Sequence, residues 1–204
     1  MEIKDTYKTI NTPGEEALFK DRNSKFFGYT FPITTEEEAK HIIADLKKKH
    51  HAARHWCYAW KIGTEPATYR INDDGEPPNS AGQPIYGQIL SFDVTYILIV
   101  VVRYFGGVKL GVGGLINAYR TAAQLALETS DIVEKTINID FVLIFEYKDM
   151  NKVMRIIKEH TLKITKQDHK LNCKIHISVR KKFADKIKDV FSPLYGIEIR
   201  KTQG

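Results

Sequence analysis

The residues best suited to chemistry lie in a glycine-rich segment of the chain. Glycine lets another group approach the backbone closely, and a glycine loop before a helix points unpaired amides at an incoming anion. Three cations, Arg103, Lys109 and Arg120, lie in or near this segment. The pattern therefore predicts a site for a phosphate, a nucleic acid or a carboxylate. Its glycines are Gly106, Gly107, Gly111, Gly113 and Gly114.

The same glycines also have a purely structural interpretation, in which they allow a tight turn and close packing of a helix on a sheet. The neighbouring cations favour the anion site. Arg103 and Lys109 are expected to contact phosphates beside the loop amides. Arg120 lies more than one turn into the predicted helix, so it is expected to flank the cleft or to pair with Asp74.

A second candidate group is a set of carboxylates in the loop of residues 72–84. Three of four consecutive positions are acids: Asp73, Asp74 and Glu76. Such a cluster suits magnesium binding or general acid–base catalysis. In the alternative, Asp-Gly forms a turn and one acid pairs with Arg103 or Arg120. We favour the structural role, and expect the loop to border the same cleft as the glycines.

His55 raises the question of a metal site, because His50, His51 and Arg54 are close in sequence. Zinc needs three or four converging ligands, whereas side chains along a strand alternate between its faces. We therefore predict that His55 is hydrogen-bonded into the fold beside the cleft. No metal and no cofactor are expected.

The elements that position these residues are predicted from periodicity and turn signals. Residues 96–102 form a continuous apolar run, typical of a strand covered on both faces. A buried helix is predicted over 115–127, and an amphipathic helix follows the capping box Thr35–Glu38. Further strands are predicted at 25–31, with Gly28 a possible close-approach point, and at 55–62, with a short helix at 83–90. Residues 3–10 and 15–20 are predicted to pair through a turn at 12–14.

A new pattern begins near residue 135. The order of elements there is β-α-β-β-α-β, which is typical of a ferredoxin-like domain. One of its strands is marked by strict alternation of apolar and polar residues from Leu171 to Val179. We predict an α+β protein with domains at residues 1–134 and 135–204.

Charge is distributed unevenly along the 204 residues. Residues 135–204 contain 16 Lys and Arg against 8 Asp and Glu, whereas residues 1–134 contain 15 against 17. The overall charge of +6 therefore comes from the last third of the chain. This asymmetry indicates an anionic partner such as RNA, and a solvated lysine-rich surface is the alternative.

Other features indicate a cytoplasmic protein. The start of the chain is charged and contains no apolar signal-peptide core. No apolar run approaches the roughly 20 residues that span a bilayer, so no membrane association is expected. Cys57 and Cys173 are far apart in sequence and are predicted to be free buried thiols in a reducing compartment.

Three segments carry a resemblance to a known family. They are HWCYAW, DDGEPPNSAGQP and RYFGGVKLGVGGLINAYRTAA, in that order. Together they resemble the IMPACT family over roughly residues 25–127, and the later elements are similar to those of its bacterial, YigZ-like, two-domain members.

The resemblance implies a fold and a partner. It implies that the N-terminal domain has the α/β fold of the superfamily that contains a ribosomal-protein domain, domain IV of elongation factor G and some small-molecule kinases. The C-terminal domain would resemble the ferredoxin-like domain V of elongation factor G. Both domain resemblances imply RNA or the ribosome as the partner. Eukaryotic members are linked to control of translation under amino-acid starvation, but they carry a different partner-binding domain, so the resemblance does not carry that exact role over.

Three functions follow from these features. The first is a non-enzymatic protein that binds RNA or the translation apparatus and regulates translation under stress. The second is a nucleotide-dependent phosphotransferase or hydrolase, but the loop has no Ser or Thr between Gly106 and Gly114 to hold magnesium. The third is an adaptor whose cleft binds an acidic protein segment.

Overall fold

A computed structural model describes residues 4–169 and 172–202. They form a mixed α+β protein with two compact units. The N-terminal unit is Tyr7–Lys135, and the C-terminal unit combines the described residues of 1–6 and 136–204. Within the described ranges, no helix is both long and apolar enough to cross a bilayer.

The N-terminal unit is built on an antiparallel five-stranded sheet with the order β2-β3-β6-β4-β5. A separate two-stranded sheet pairs β1 with β7. The strands are β1 (Thr6–Ile10), β2 (Ala17–Asp21), β3 (Ser24–Pro32), β4 (His55–Ile62), β5 (Thr68–Asn72), β6 (Ile97–Tyr104) and β7 (Ile132–Thr136). The helices are α1 (Glu36–Lys49), α2 (Gly82–Ser91) and α3 (Gly111–Glu128).

Strand β6 is the central strand, as its unbroken apolar sequence predicts. Its residues Ile97, Ile99 and Val101 pack with α2 and α3, whereas Leu98 and Val100 face the core on the side of α1. Each of these side chains is fully buried. Because side chains alternate along a strand, Arg103 follows Val101 toward the side of α2 and α3.

The predicted ends of the surrounding helices are largely confirmed. Thr35 accepts a hydrogen bond from the amide of Glu38, whose carboxylate accepts from the amide of Thr35, so the capping box forms. The predicted short helix at 83–90 is α2. Helix α3 begins earlier than predicted, at Gly111, and therefore includes the last three glycines of the loop.

The predicted pairing of the first two strands is wrong. Strand β1 pairs with β7, and β2 pairs with β3. The turn signals at residues 12–14 do not fold back into a hairpin, because the amide of Gly14 donates to the carbonyl and hydroxyl of Thr30 in β3. Local turn chemistry does not specify which strand will be the partner. Ile3 of the predicted strand lies outside the described residues.

Gly28 is a close-approach point, as predicted. A Cβ atom at this position would lie 2.5 Å from the carbonyl oxygen of Ala122. Any side chain there would push α3 away from β3, and α3 carries much of the candidate site.

The C-terminal unit contains strands β8 (Asn138–Glu146), β9 (Lys163–His169), β10 (Asn172–Arg180) and β11 (Ile197–Lys201), with helices α4 (Met150–Glu159) and α5 (Ala184–Phe191). The chain order is therefore the predicted β-α-β-β-α-β, and the antiparallel sheet has the order β11-β8-β10-β9. Buried residues alternate with more exposed ones along β10, as predicted. Leu171 of the predicted alternation lies outside the described residues.

The start of the chain belongs to this second unit. The predicted division assigned residues 1–134 to the first domain, whereas residues 4–6 group with the C-terminal unit. Arg180 donates from Nε to the carboxylate of Asp5 at 2.5 Å, and the amide of Ile137 donates to the carbonyl of Asp5. These contacts are long-range, so local sequence patterns give no sign of them.

Candidate functional site

The end of β6 positions a buried ion pair at the start of the glycine segment. Nη1 of Arg103 donates to Oε1 of Glu76 at 2.6 Å. The hydroxyl of Tyr119, on the buried face of α3, donates to the same oxygen at 2.7 Å. Only 7% of the Arg103 side chain and 4% of the Glu76 side chain are exposed. The loop, the strand and the helix therefore meet at one carboxylate oxygen.

This arrangement corrects the predicted role of Arg103. The sequence predicts a cation that contacts phosphate, but the guanidinium is buried and its charge is compensated by Glu76. The observed pair agrees with the structural alternative predicted from the sequence, in which one acid of the 72–84 loop pairs with Arg103 or Arg120. A buried charge needs a partner of opposite sign, and the covered end of a central strand leaves Arg103 no route to solvent.

His55 and Cys57 lie at the edge of the same cluster, on β4. Nδ1 of His55 donates to the carbonyl of Asp74 at 2.9 Å, so in the neutral ring this nitrogen carries the proton. Nε2 lies 4.0 Å from Oε1 of Glu76. His55 is therefore hydrogen-bonded into the fold, beside the loop, as predicted.

The thiol of Cys57 is not an activated nucleophile. It lies 2.9 Å from the carbonyl oxygen of Asp73 and 3.3 Å from the hydroxyl of Tyr119. Burial strongly raises the pKa of Cys57 and also that of Tyr119. Both groups stay protonated and act as hydrogen-bond donors.

The two aspartates hold the loop in place. One carboxylate oxygen of Asp73 accepts from the amides of Ala81 and Gly82, and the other accepts from Asn79. Asp74 accepts from the amide of Trp56 at 2.8 Å. These bonds fix the path of the chain into α2, so both acids have structural partners.

The alternative pairing of Arg120 with Asp74 is wrong. The ion pair of Asp74 is with Lys47, at 3.7 Å. Arg120 is exposed and follows the buried Tyr119 on α3. Since successive residues of a helix are about 100° apart, Arg120 lies on the solvent side of α3, where Asn117 and Gln124 are also exposed.

The glycines of this segment fall into two groups, one required by close packing and the other with open space beside it. Gly106 is required by packing, because a Cβ there would lie 2.1 Å from the carbonyl carbon of Asn23. Its amide is used internally and donates to the hydroxyl of Ser24. By contrast, Gly111 begins α3 with a φ of +74° and has open space beside it. Gly107 and Gly113 also have open space beside them.

The start of α3 presents backbone donors without a protein cap. Leu110 occupies the N-cap position, and no hydrogen bond from its side chain caps the helix. The amides of Gly111, Val112 and Gly113 precede the first residue that can donate within the helix. The positive end of the helix dipole adds to their field, and the adjacent Lys109 is exposed.

The predicted site residues therefore separate into two layers. What we call the buried layer contains the buried Arg103 and Glu76 with the half-buried cleft-bordering residues His55, Asp73 and Asp74. The surface layer contains Lys109 with the amides of the first turn of α3, while Arg120 lies further along the helix. Among the described residues, no group of three or more His, Cys, Asp or Glu is arranged to hold a metal.

Sequence reasoning missed Tyr119 and a second polar network on the other side of the sheet. Tyr119 sits in the middle of an apolar stripe, and a polar hydroxyl on a buried helix face is the signal that points to an internal acceptor. In the second network, the hydroxyl of Tyr29 donates to Glu16 at 2.5 Å and lies 2.7 Å from Nε2 of His50. Nδ1 of His50 lies 2.9 Å from the hydroxyl of Tyr104.

The directions of these bonds follow from donor counting. Because Tyr29 gives its one proton to a carboxylate, it accepts from Nε2 of His50. In the neutral ring, Nδ1 of His50 then accepts from Tyr104, the last residue of β6. Burial together with the nearby Lys49 lowers the pKa of His50, which favours this neutral ring.

Comparison with known proteins gives consistent matches. Residues 22–127 match the Impact N-terminal domain. The IMPACT family member YvyE of Bacillus subtilis (strain 168) is 33% identical over 154 residues, which are 76% of this chain and 70% of that protein. The IMPACT family member YigZ of Escherichia coli (strain K12) is 34% identical over 150 residues, 72% of this chain and 74% of that protein.

A solved structure is similar over nearly the whole chain. The crystal structure of a hypothetical protein matches with a TM-score of 0.71 and 25% sequence identity. The match covers 98% of this chain and 99% of that chain.

Glu76→Gln is expected to destabilise the protein by about 3–5 kcal/mol, because it leaves the buried charge of Arg103 without compensation. Urea unfolding of the two proteins measures the difference. Glu146→Gln is the matched control: the Glu146 side chain of its ion pair with Lys148 is 64% exposed, so the loss of this pair should leave the stability close to that of wild type. Equal stability of Glu76→Gln and wild type would contradict the assigned role.

His50 is expected to make stability depend on pH. Its pKa is lower in the folded protein than the ordinary value of 6.5, so the unfolded chain binds the proton more readily. Stability is therefore complete above about pH 6.5 and falls as the pH decreases below it. Unfolding free energies measured between pH 7.5 and 5.5 should fall less steeply in His50→Gln.

The matched control for this experiment is His51→Gln. His51 is the exposed neighbour of His50, so its replacement should leave the wild-type pH dependence in place. If His50→Gln and wild type lose stability in parallel, the neutral, buried histidine is not the cause.

Proposed function

Because the chain belongs to the IMPACT family, we propose that it is a non-enzymatic binding protein that engages RNA or the translation apparatus and regulates translation. The observation that carries the proposal is the uncapped start of α3, whose first three residues are exposed and follow the exposed Lys109 closely in sequence. Donors of this kind bind phosphate oxygens without reading sequence.

The C-terminal unit supports the proposal through its charge. Residues 135–204 have an excess of eight positive charges. Many of them are exposed on α4, on α5 and in the turn before α5: Arg155, Lys158, Lys182, Lys186 and Lys188. A basic surface of this kind attracts a polyanion over distances comparable to the Debye length. The likeness of the two units to domains IV and V of elongation factor G is part of this proposal.

The state of the acids favours binding over catalysis. Asp73, Asp74 and Glu76 each hold a structural hydrogen bond or ion pair, and the thiol of Cys57 is protonated. The enzymatic alternative needs at least one of these groups to act on a bound nucleotide. The cytoplasmic location is also part of this proposal, supported by Cys57 and Cys173, which are buried and form no disulfide.

RNA binding should weaken steeply as salt is added, because phosphate contacts release counterions. Fluorescence anisotropy with a labelled structured RNA, repeated from about 50 to 200 mM salt, measures the dependence. Lys109→Ala should weaken binding at low salt and reduce the slope of log K against log salt by about one.

Lys40→Ala is the matched control. Lys40 is 62% exposed on α1, a helix that packs on the opposite face of the sheet from α3, so its removal should leave the affinity and the slope unchanged. Absence of binding at low salt, or affinity indifferent to salt, would refute the proposal.

A further inference from the structure

The glycine loop exposes an apolar surface as well as donors. Phe105 begins the loop with 48% of its surface exposed. Val108 and Val112, on either side of Lys109 in sequence, are 47% and 53% exposed. All three belong to the short segment 105–112 that also carries the polar donors, and exposed apolar surface rimmed by polar groups marks an interaction site. A phosphate alone would use the amides and the lysine, but not this apolar surface.

The ring of Phe105 is adjacent to a fixed cation. Cζ of Arg103 lies 5.6 Å from the centre of the Phe105 ring and 5.5 Å from that of Phe26. The guanidinium cannot move away, since Glu76 holds one of its nitrogens. Its Nε is buried and has no hydrogen-bond partner among the described residues. Phe105 thus has a buried charge beside its ring, and 48% of the residue is exposed to solvent.

A flat aromatic group fits the exposed part of such a ring. Nucleobases stack on aromatic side chains with about 1–3 kcal/mol per base, and arginine contributes by cation–π interaction. Phe105 stands at the start of the loop and the free amides of α3 stand at its end. An unpaired segment of RNA that lies along this loop would offer a base to the ring and phosphates to the amides.

We propose that Phe105 is a stacking platform for an unpaired RNA base, and that the loop selects single-stranded segments of its polyanionic partner. This inference rests on the proposed function, because it assumes that the anion at the loop belongs to RNA. An acidic protein segment would have the charge for the amides and Lys109, but no flat group for Phe105.

The test compares two probes of equal length and charge. One is a fluorescein-labelled 12-nucleotide oligouridylate, and the other has abasic residues at its central positions. Wild type should bind the base-bearing probe about tenfold more tightly, the ratio that a stacking energy near 1.4 kcal/mol gives. Phe105→Ala should bind both probes with the affinity that wild type has for the abasic probe. Phe105→Trp should keep the preference for the base-bearing probe.

A control separates this site from exposed aromatic surface in general. Tyr195 is 96% exposed in the C-terminal unit, so Tyr195→Ala removes an exposed aromatic ring without touching the loop. It should bind both probes like wild type. Unchanged thermal unfolding of Phe105→Ala is expected from the exposure of the ring and confirms that the fold is intact.

The contrary outcomes are distinct. Equal, salt-dependent binding of the two probes by wild type would overturn the stacking site and leave the proposed function standing. If Phe105→Ala lowers the affinity for the two probes by the same factor, the stacking site is also overturned, because the ring then makes no contribution that depends on the bases. Competition by polyglutamate as effective as that by RNA would assign the loop to an acidic protein instead. Failure of wild type to bind either probe at low salt would refute the inference and the proposed function together.

Discussion

The buried contact between Arg103 and Glu76 is the interaction on which the candidate site depends. A guanidinium at the covered end of a central strand would be strongly destabilising without a carboxylate beside it. Glu76 supplies that carboxylate and also accepts from Tyr119. Because these three residues come from a loop, a strand and a helix, the shared oxygen of Glu76 joins α3 to the strand and the loop.

In this arrangement the side chains and the backbone have different roles. The side chains of the buried layer set the geometry, and they are already satisfied by one another. What remains available to a ligand is mostly backbone, in the first turn of α3, with Lys109 and the exposed ring of Phe105. In the function that we propose, such a site recognises phosphate and aromatic groups by class, which suits a partner read by shape more than by sequence.

Much of the fold was predictable because its signals are local. The apolar run of β6, the capping box of α1 and the alternation along β10 each specify an element without reference to the rest of the chain. The pairing of β1 was not predictable, since the partner strand lies more than 120 residues away. Within the site, the residue types were predictable but their states were not. Whether Arg103 faces solvent or Glu76 depends on tertiary contacts, and the His50 network joins residues with no shared motif.

The most direct test of the central claim is a nuclear magnetic resonance titration of isotopically labelled protein with the 12-nucleotide oligouridylate. The amide signals of Gly111, Val112 and Gly113 should shift as RNA is added and return toward their starting positions when salt is raised. The amides of α1 should stay in place. Saturation with RNA that leaves those three signals unmoved would show that the start of α3 is not the anion receptor.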